Sequence, residues 1–461
     1  MKNRRILISA VVMVVLLASC ASETRESAPS TNTPNENTVK APKLALKSED
    51  SVGEAKKNDA KNNQTTENER VEKWSSDIDQ MTKFLKETHK DLYKNMSQTA
   101  FDAESQLLKN RISALNDDEI MLEIMRLIAK IGDGHTYLQW EYQYNNEIMP
   151  LKFVQIDGQI YCVNATETYK NLLFKKIVKI ENHDIDTVFS DLKELVPAEN
   201  DHWKDANALG LLRVPMFYKA LGLSDDPAYT TLTYEDKGMF KQVKVKNLSG
   251  ERSPHDTFVY NNRLNNIVSS IDVLEGENYW YQHDRSNKII KINYDRCANT
   301  ENYSFNDFND EVWKYIGDND IDKVAVDMRY NMGGGSSVFD AFRSGLLKHK
   351  KFNTPDRLFV MVGNRTFSSG VASATMTKRW TSATILGQET GGMPNSYGNG
   401  RMIQLENSGL ILTCSTMYFE FYPGHDNNTL APDVQIEYSL EDYKNNNDPV
   451  YNYVVDKSLS Q

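Results

Sequence analysis

The chain has 461 residues, room for two or three domains, and its 39% hydrophobic and 10% aromatic content is enough to build a sizeable core. That composition excludes a wholly disordered chain. Its 53 Lys plus Arg against 64 Asp plus Glu leave a net charge of −11, which repels phosphate backbones and argues against nucleic acid as a partner.

In chain order, Lys2, Arg4 and Arg5 precede an apolar run from Ile6 to Ala18 that is too short for a permanent membrane span, the pattern of an export signal. The run ends in Leu17-Ala18-Ser19-Cys20, which resembles the lipobox of bacterial lipoproteins. The resemblance implies that residues 1–20 are a lipoprotein signal peptide and that Cys20 receives the lipid. The expected location is therefore the cell envelope, with the protein anchored to a bacterial membrane and facing the periplasm or the exterior. From 21 to 70 there is no Phe, Tyr or Trp, and Ser, Thr, Asn, Pro, Lys and Glu crowd the segment, which reads as a disordered tether. The remaining cysteines, Cys162, Cys297 and Cys414, lack metal-type spacing and are odd in number, so neither a disulfide framework nor a cysteine zinc site is expected. One bridge among them is left open.

Trp74, Ile78, Met81, Leu85 and Leu92, then Ile120, Ile124, Leu127 and Ile128, recur at helical spacing and predict a helical region over 71–145. The periodicity stops at Gly132-Asp133-Gly134, just before His135. Between 146 and 280 short β-type runs predominate. One is Ile177-Val178-Lys179-Ile180, followed by the polar turn Glu181-Asn182-His183-Asp184. This middle region resembles a degenerate PDZ-like module, which would hold an extended peptide by strand addition. From 281 to 461 strands at Ile289–Ile292, Val324–Met328, Leu358–Val362, Thr384–Leu386 and Leu410–Thr413 alternate with helices at 305–317, 337–347 and 369–380. The alternation predicts a layered α/β domain.

Three clusters could carry chemistry. Gly132-Asp133-Gly134-His135-Thr136 places an imidazole beside flexible backbone. Asp327-Met328-Arg329-Tyr330-Asn331-Met332-Gly333-Gly334-Gly335 runs a strand into three glycines whose amides suit an anion or a developing oxyanion, without the Lys-Ser/Thr of a phosphate loop. Asn364-Arg365-Thr366-Phe367-Ser368-Ser369-Gly370 sets a serine at the mouth of a helix, where the dipole and unsatisfied N–H groups favour negative charge.

With Leu386-Gly387-Gln388-Glu389-Thr390-Gly391-Gly392 and Leu430-Ala431-Pro432-Asp433-Val434, these clusters stand in the order found in the C-terminal-processing and tricorn-type serine peptidases, which the chain resembles over roughly 71–461. The resemblance implies an α/β (α+β) fold whose layered catalytic core is of the ClpP/crotonase-like type. It also implies a serine endopeptidase, related to tail-specific proteases, acting on peptides or unfolded proteins without metal or cofactor. Ser368 falls on the nucleophile, and Ser369 with Gly335 or Gly334 on the oxyanion hole. Met393 occupies the place of the lysine base used by one branch, so the base falls on His135, as in the tricorn-type branch. Ala431 and Val371 replace two acids of the family pattern, leaving Glu389, Asp433 and Asp133 as candidates to orient His135. The same departures motivate a rival reading, a catalytically inactive lipoprotein that binds peptides or small amphipathic ligands. An esterase using the same pair is a third. The sequence does not specify an oligomeric state.

Overall fold

The computed structural model describes residues 59–140, 147–224, 226, 228–248, 258–269, 271–272, 276–425 and 429–459, with side chains from residue 66 onward. The expected signal peptide, Cys20 and most of the expected tether lie outside the described residues. The first helix, Asp59–Thr88, begins inside the segment expected as tether, so the apolar stripe that starts at Trp74 carries a polar extension in front of it. No helix among the described residues is long and apolar enough to cross a membrane.

Helices Gln98–Arg111 and Asp117–Ala129 complete the N-terminal layer. The latter begins in a capping box, Asn116 with Glu119, and buries Ile120, Ile124, Leu127 and Ile128 on one face. It ends three residues before Gly132, whose φ of +72° turns the chain toward His135. Strand β1 (Tyr137–Gln139) follows at once.

The middle sheet has the order β2 (Leu151–Ile156), β3 (Gln159–Ala165), β4 (Lys176–Ile180), β6 (Tyr229–Asp236), β7 (Met239–Lys246), with the short β5 (His183–Asp184) paired to β4. Glu181 and Asn182, both at positive φ, form the two-residue turn between β4 and β5. A helix, Ile185–Lys193, follows.

A second sheet has the order β15 (Val434–Gln435), β12 (Thr384–Gly387), β11 (Leu358–Val362), β10 (Lys323–Asp327), β9 (Ile289–Tyr294), β8 (Tyr279–Asp284). It is parallel except at the β8–β9 edge. Every residue of β10 and β11 is buried, as expected of parallel strands covered on both faces. Helices Phe305–Asp318, Asp340–Lys348 and Ser369–Trp380 alternate with these strands. Leu410–Thr413 does not extend the parallel sheet. Most of it lies in β14 (Ile411–Glu420), which pairs antiparallel with β13 (Asn395–Gln404) on one side and with β1 on the other. The protein is thus mixed α/β with several sheets.

One apolar core joins the N-terminal helices, the middle sheet and the foot of the β13–β14 hairpin, and includes Trp203 and Phe367. A second lies against the parallel sheet and includes Val326, Cys297 and Val371. Phe367 and Val371 are one helical turn apart, so the turn carrying Ser368 lies where the two cores meet.

Candidate active site

The loops leaving the C-terminal ends of β10 and β11 emerge side by side, because Asp327 pairs with Met361 in parallel register. Such adjacent loops are where α/β sheets commonly place their sites. The loop after β10 grips the loop after β11 through backbone and side chain. The Thr366 hydroxyl donates to the Met328 carbonyl (2.9 Å) and the Phe367 amide to that of Asn331 (2.9 Å). The Asn331 side chain in turn accepts from the Gly333 amide (2.9 Å) and donates to the Tyr294 carbonyl (2.8 Å).

Held in this way, Ser368 sits at φ 51°, ψ −129°, a strained conformation for a residue with a Cβ, immediately before helix Ser369–Trp380. A Cβ on Gly333, itself at φ +108°, would stand 2.6 Å from the Ser368 Cβ and 3.0 Å from its hydroxyl, so only glycine fits there. A Cβ on Gly370 would meet the Asn331 carbonyl at 2.4 Å. The Ser369 amide has no hydrogen-bond acceptor among the described residues, while its hydroxyl donates to the Gly334 carbonyl (2.6 Å). Gly335 does not offer its amide to the cleft. Its N–H donates to the Cys297 carbonyl (2.7 Å), because the glycine run pairs as a short parallel bridge with the segment after β9. Gly334 packs against the same carbonyl, which a Cβ there would approach to 2.4 Å.

His135 arrives from the opposite side. It is 4% exposed and stacks on Phe367 at 4.5 Å between ring centroids, and Phe367 stacks on Trp203 at 4.0 Å. Gly134 makes the approach possible, since a Cβ there would lie 2.9 Å from the Phe367 ring. His135 and the half-buried Ser368 line one narrow cleft with Ser369, Tyr397, Gly398 and Phe419, roofed by the β13–β14 hairpin and with about 20 Å³ of free space. Burial pushes the imidazole below its ordinary value of 6.5, partly countered by the charge of Asp133, so His135 is neutral near pH 7.

Of the three acids expected as orienting partners, only Asp133 is near. Its Oδ1 accepts from the His135 amide (2.9 Å) and lies 3.9 Å from Nδ1. Its Oδ2 takes His89 (3.0 Å) and Thr136 (2.6 Å). Burial alone would raise the Asp133 carboxyl, but the hydrogen bonds from His89, Ser415 and Thr136 favour the anion, and the carboxyl lies below its ordinary value. Glu389 instead pairs with His202 (2.7 Å) on another face, and Asp433 binds Lys378 (2.8 Å) and the Ile385 amide (2.9 Å). Both are structural here. The sequence reading missed Glu199. One carboxyl oxygen of Glu199, one of Asp133 and a ring nitrogen of His135 lie within 4.8 Å of one another. Glu199 as a residue is only half-buried, yet both its carboxyl oxygens are shut away from solvent and neither has a hydrogen-bond partner; His135 Nδ1 is in the same state. No local pattern in Pro197-Ala198-Glu199-Asn200-Asp201 marks it out. Cys162, Cys297 and Cys414 are buried free thiols.

No family model and no curated protein sequence matches the chain. Among solved structures, a CPAF mutant superposes with a TM-score of 0.60 at 10% identity, covering 85% of this chain and 99% of CPAF. Mature CPAF complexed with lactacystin superposes at 0.57 with 11% identity, over 83% of this chain and 97% of that one. The photosystem II D1 C-terminal processing protease aligns over 79% of this chain and 93% of its own at 10% identity, with a TM-score of 0.38. The CPAF superpositions show that the chain shares that fold.

Proposed function

We propose that the protein is a serine peptidase of the C-terminal-processing and tricorn type, exported and lipid-anchored through Cys20, with Ser368 as nucleophile and His135 as its base. Its parallel sheet with flanking helices would be a ClpP/crotonase-like core, and its middle sheet a PDZ-like module presenting extended peptide. The observation that carries the reading is the strained Ser368 at a helix mouth, sharing its cleft with a buried neutral imidazole. In the reaction, His135 takes the proton from the Ser368 hydroxyl as the oxygen attacks a peptide carbonyl. The imidazolium then protonates the departing amine, and water, deprotonated in turn by His135, releases the acyl group. The Ser369 amide is available to the oxyanion, and one such donor contributes roughly 10²–10³ in rate. A second donor from Gly335 requires its amide to let go of the Cys297 carbonyl.

A second reading, an inactive peptidase-like lipoprotein that captures peptides or small amphipathic ligands, draws on the engaged Gly335 amide and on Val371, Met393 and Ala431 in place of polar family residues. Labelling by a fluorophosphonate probe separates the two readings. The peptidase labels at Ser368, and Ser368→Ala and His135→Gln do not; an unlabelled wild type that still binds peptide is the inactive binder.

A further inference from the structure

Glu199 and His135 Nδ1 present an unusual coincidence. Buried polar atoms almost always have partners, since an unpaired one forgoes solvation without return. Here both carboxyl oxygens of Glu199 and the imidazole Nδ1 are shut away from water and unpaired, and one carboxyl oxygen lies within 4.8 Å of a ring nitrogen of His135. Neither flank of Glu199 is loose. Asn200 caps helix Asp201–Leu211 by accepting from the Trp203 amide (2.9 Å) and donates to the Gly391 carbonyl (3.0 Å). On the other side Ala198 is buried, and its carbonyl lies against the Gly132 turn. The same helix supplies Trp203, so the segment from Glu199, just before the cap, to Trp203 carries both the carboxyl near His135 and the far end of the ring stack that holds the imidazole plane.

We propose that Glu199 is the positioning residue of His135: its carboxyl takes the Nδ1–H hydrogen bond, fixing the tautomer that leaves Nε2 free to accept the Ser368 proton. This rests on the Ser368–His135 reading above. Asp133 is the rival, but it is anchored by His89, Thr136 and the His135 amide at 3.9 Å from Nδ1, whereas no side chain holds the Glu199 carboxyl. Hydrogen bonds of this kind are often long before substrate arrives and close in the reacting complex. The same occupancy of Asp133 argues against reading the trio as a metal site, since only two of its three members have open donor atoms. As the proton leaves Ser368 Oγ for Nε2, the Nδ1 proton stays in place and the Glu199 carboxylate faces the new imidazolium charge. The groups bearing on Glu199 are the anion of Asp133, His135 itself and the more distant Lys94. Burial and then Asp133 push its carboxyl up to about 8, against weaker opposing pulls from its own amide, that of Gly134 and Lys94. Full support of the imidazolium therefore develops only as pH rises toward that value.

The test compares wild type, Glu199→Gln, Glu199→Asp and Asp133→Asn, with Ser368→Ala as the dead reference. Glu199→Gln is expected to lower kcat by roughly 10²–10⁴ with KM within about threefold, as in other hydrolases whose orienting acid is removed. It should also abolish an upper step near pH 8 in the rate profile, and Glu199→Asp should restore part of both. A readout independent of turnover is the Nδ1–H proton resonance of ¹⁵N-histidine-labelled protein in the Ser368→Ala background. It should be present there and vanish when Glu199→Ala, which removes both acceptor oxygens, is added instead. A resonance that survives Glu199→Ala, or is lost only with Asp133→Asn, overturns the assignment while leaving the Ser368–His135 pair standing. A wild type that neither labels nor turns over, yet shows the Glu199-dependent resonance, refutes the peptidase reading alone.

Discussion

A neutral carboxyl kept inside the fold makes stability depend on pH in a direction opposite to most acids, and Glu199 offers a measurable instance. Its carboxyl is raised from the ordinary 4.5 to about 8 by burial and by Asp133. Below pH 4.5 folded and unfolded chains both hold the proton, so the residue has no effect on the balance. Between 4.5 and about 8 the unfolded chain releases the proton and the folded one keeps it, so folding stability falls with each step in pH. Above about 8 both are ionised, and the penalty is complete. At about 1.36 kcal/mol per pH unit the ceiling is near 5 kcal/mol, and relaxation around the charge should bring it to about 2–4 kcal/mol. Asp133 runs the other way: its carboxyl is held low, so its contribution is present above its unfolded value and is lost on acidification. The assay is urea denaturation of wild type and Glu199→Gln from pH 4 to pH 9. The mutant should gain on the wild type progressively across that interval, ending a few kcal/mol ahead of its starting difference. Stability curves that stay parallel across the whole range would refute a proton held on Glu199.

Further outcomes follow from the same geometry. Ser368→Gly should remove hydrolysis yet raise stability by about 1 kcal/mol, because glycine occupies positive φ without the strain a Cβ incurs; calorimetry reads the gain. Gly333→Ala drives a methyl to within 2.6 Å of the Ser368 Cβ and should cost about 1–3 kcal/mol and at least tenfold in probe-labelling rate, whereas Gly238→Ala, at positive φ with open space around it, should cost stability without slowing labelling. Phe367→Ala empties the centre of the Trp203–Phe367–His135 stack and should destabilise by about 3–5 kcal/mol in chemical denaturation. In the wild type, the acidic limb of kcat/KM should have its midpoint below 6.5, since burial holds the His135 imidazole low.

Much of the parallel sheet was legible because its strands are unbroken apolar runs. Leu358–Val362 was expected and observed with the same bounds, and the helix at 369–380 likewise. The β13–β14 hairpin was not. Asn395–Gln404 reads as turn chemistry, with two glycines and two asparagines, and its nine-residue pairing is stabilised by cross-strand partners rather than by local preference. The glycine-flanked His135 and the helix-mouth Ser368 stood out because sharp backbone changes leave a mark in sequence. Orienting groups leave none. Glu389 and Asp433 looked eligible by proximity in the chain to family motifs, yet tertiary structure gives them to His202 and Lys378. Glu199 has no distinguishing neighbours, and its burial is created by helix Asp201–Leu211 docking against a turn more than sixty positions earlier.

The short strand that follows His135 has a further consequence. Its partners Ile411, Leu412 and Thr413 lie near the far end of the chain, and the Ser415 amide donates to Thr136 (3.1 Å), right beside the imidazole. A polypeptide still emerging from the ribosome, with its serine and its histidine both synthesised, therefore lacks the rail on which the histidine is seated. Seating of the histidine therefore waits on residues 411–415, translated more than forty positions after Ser368.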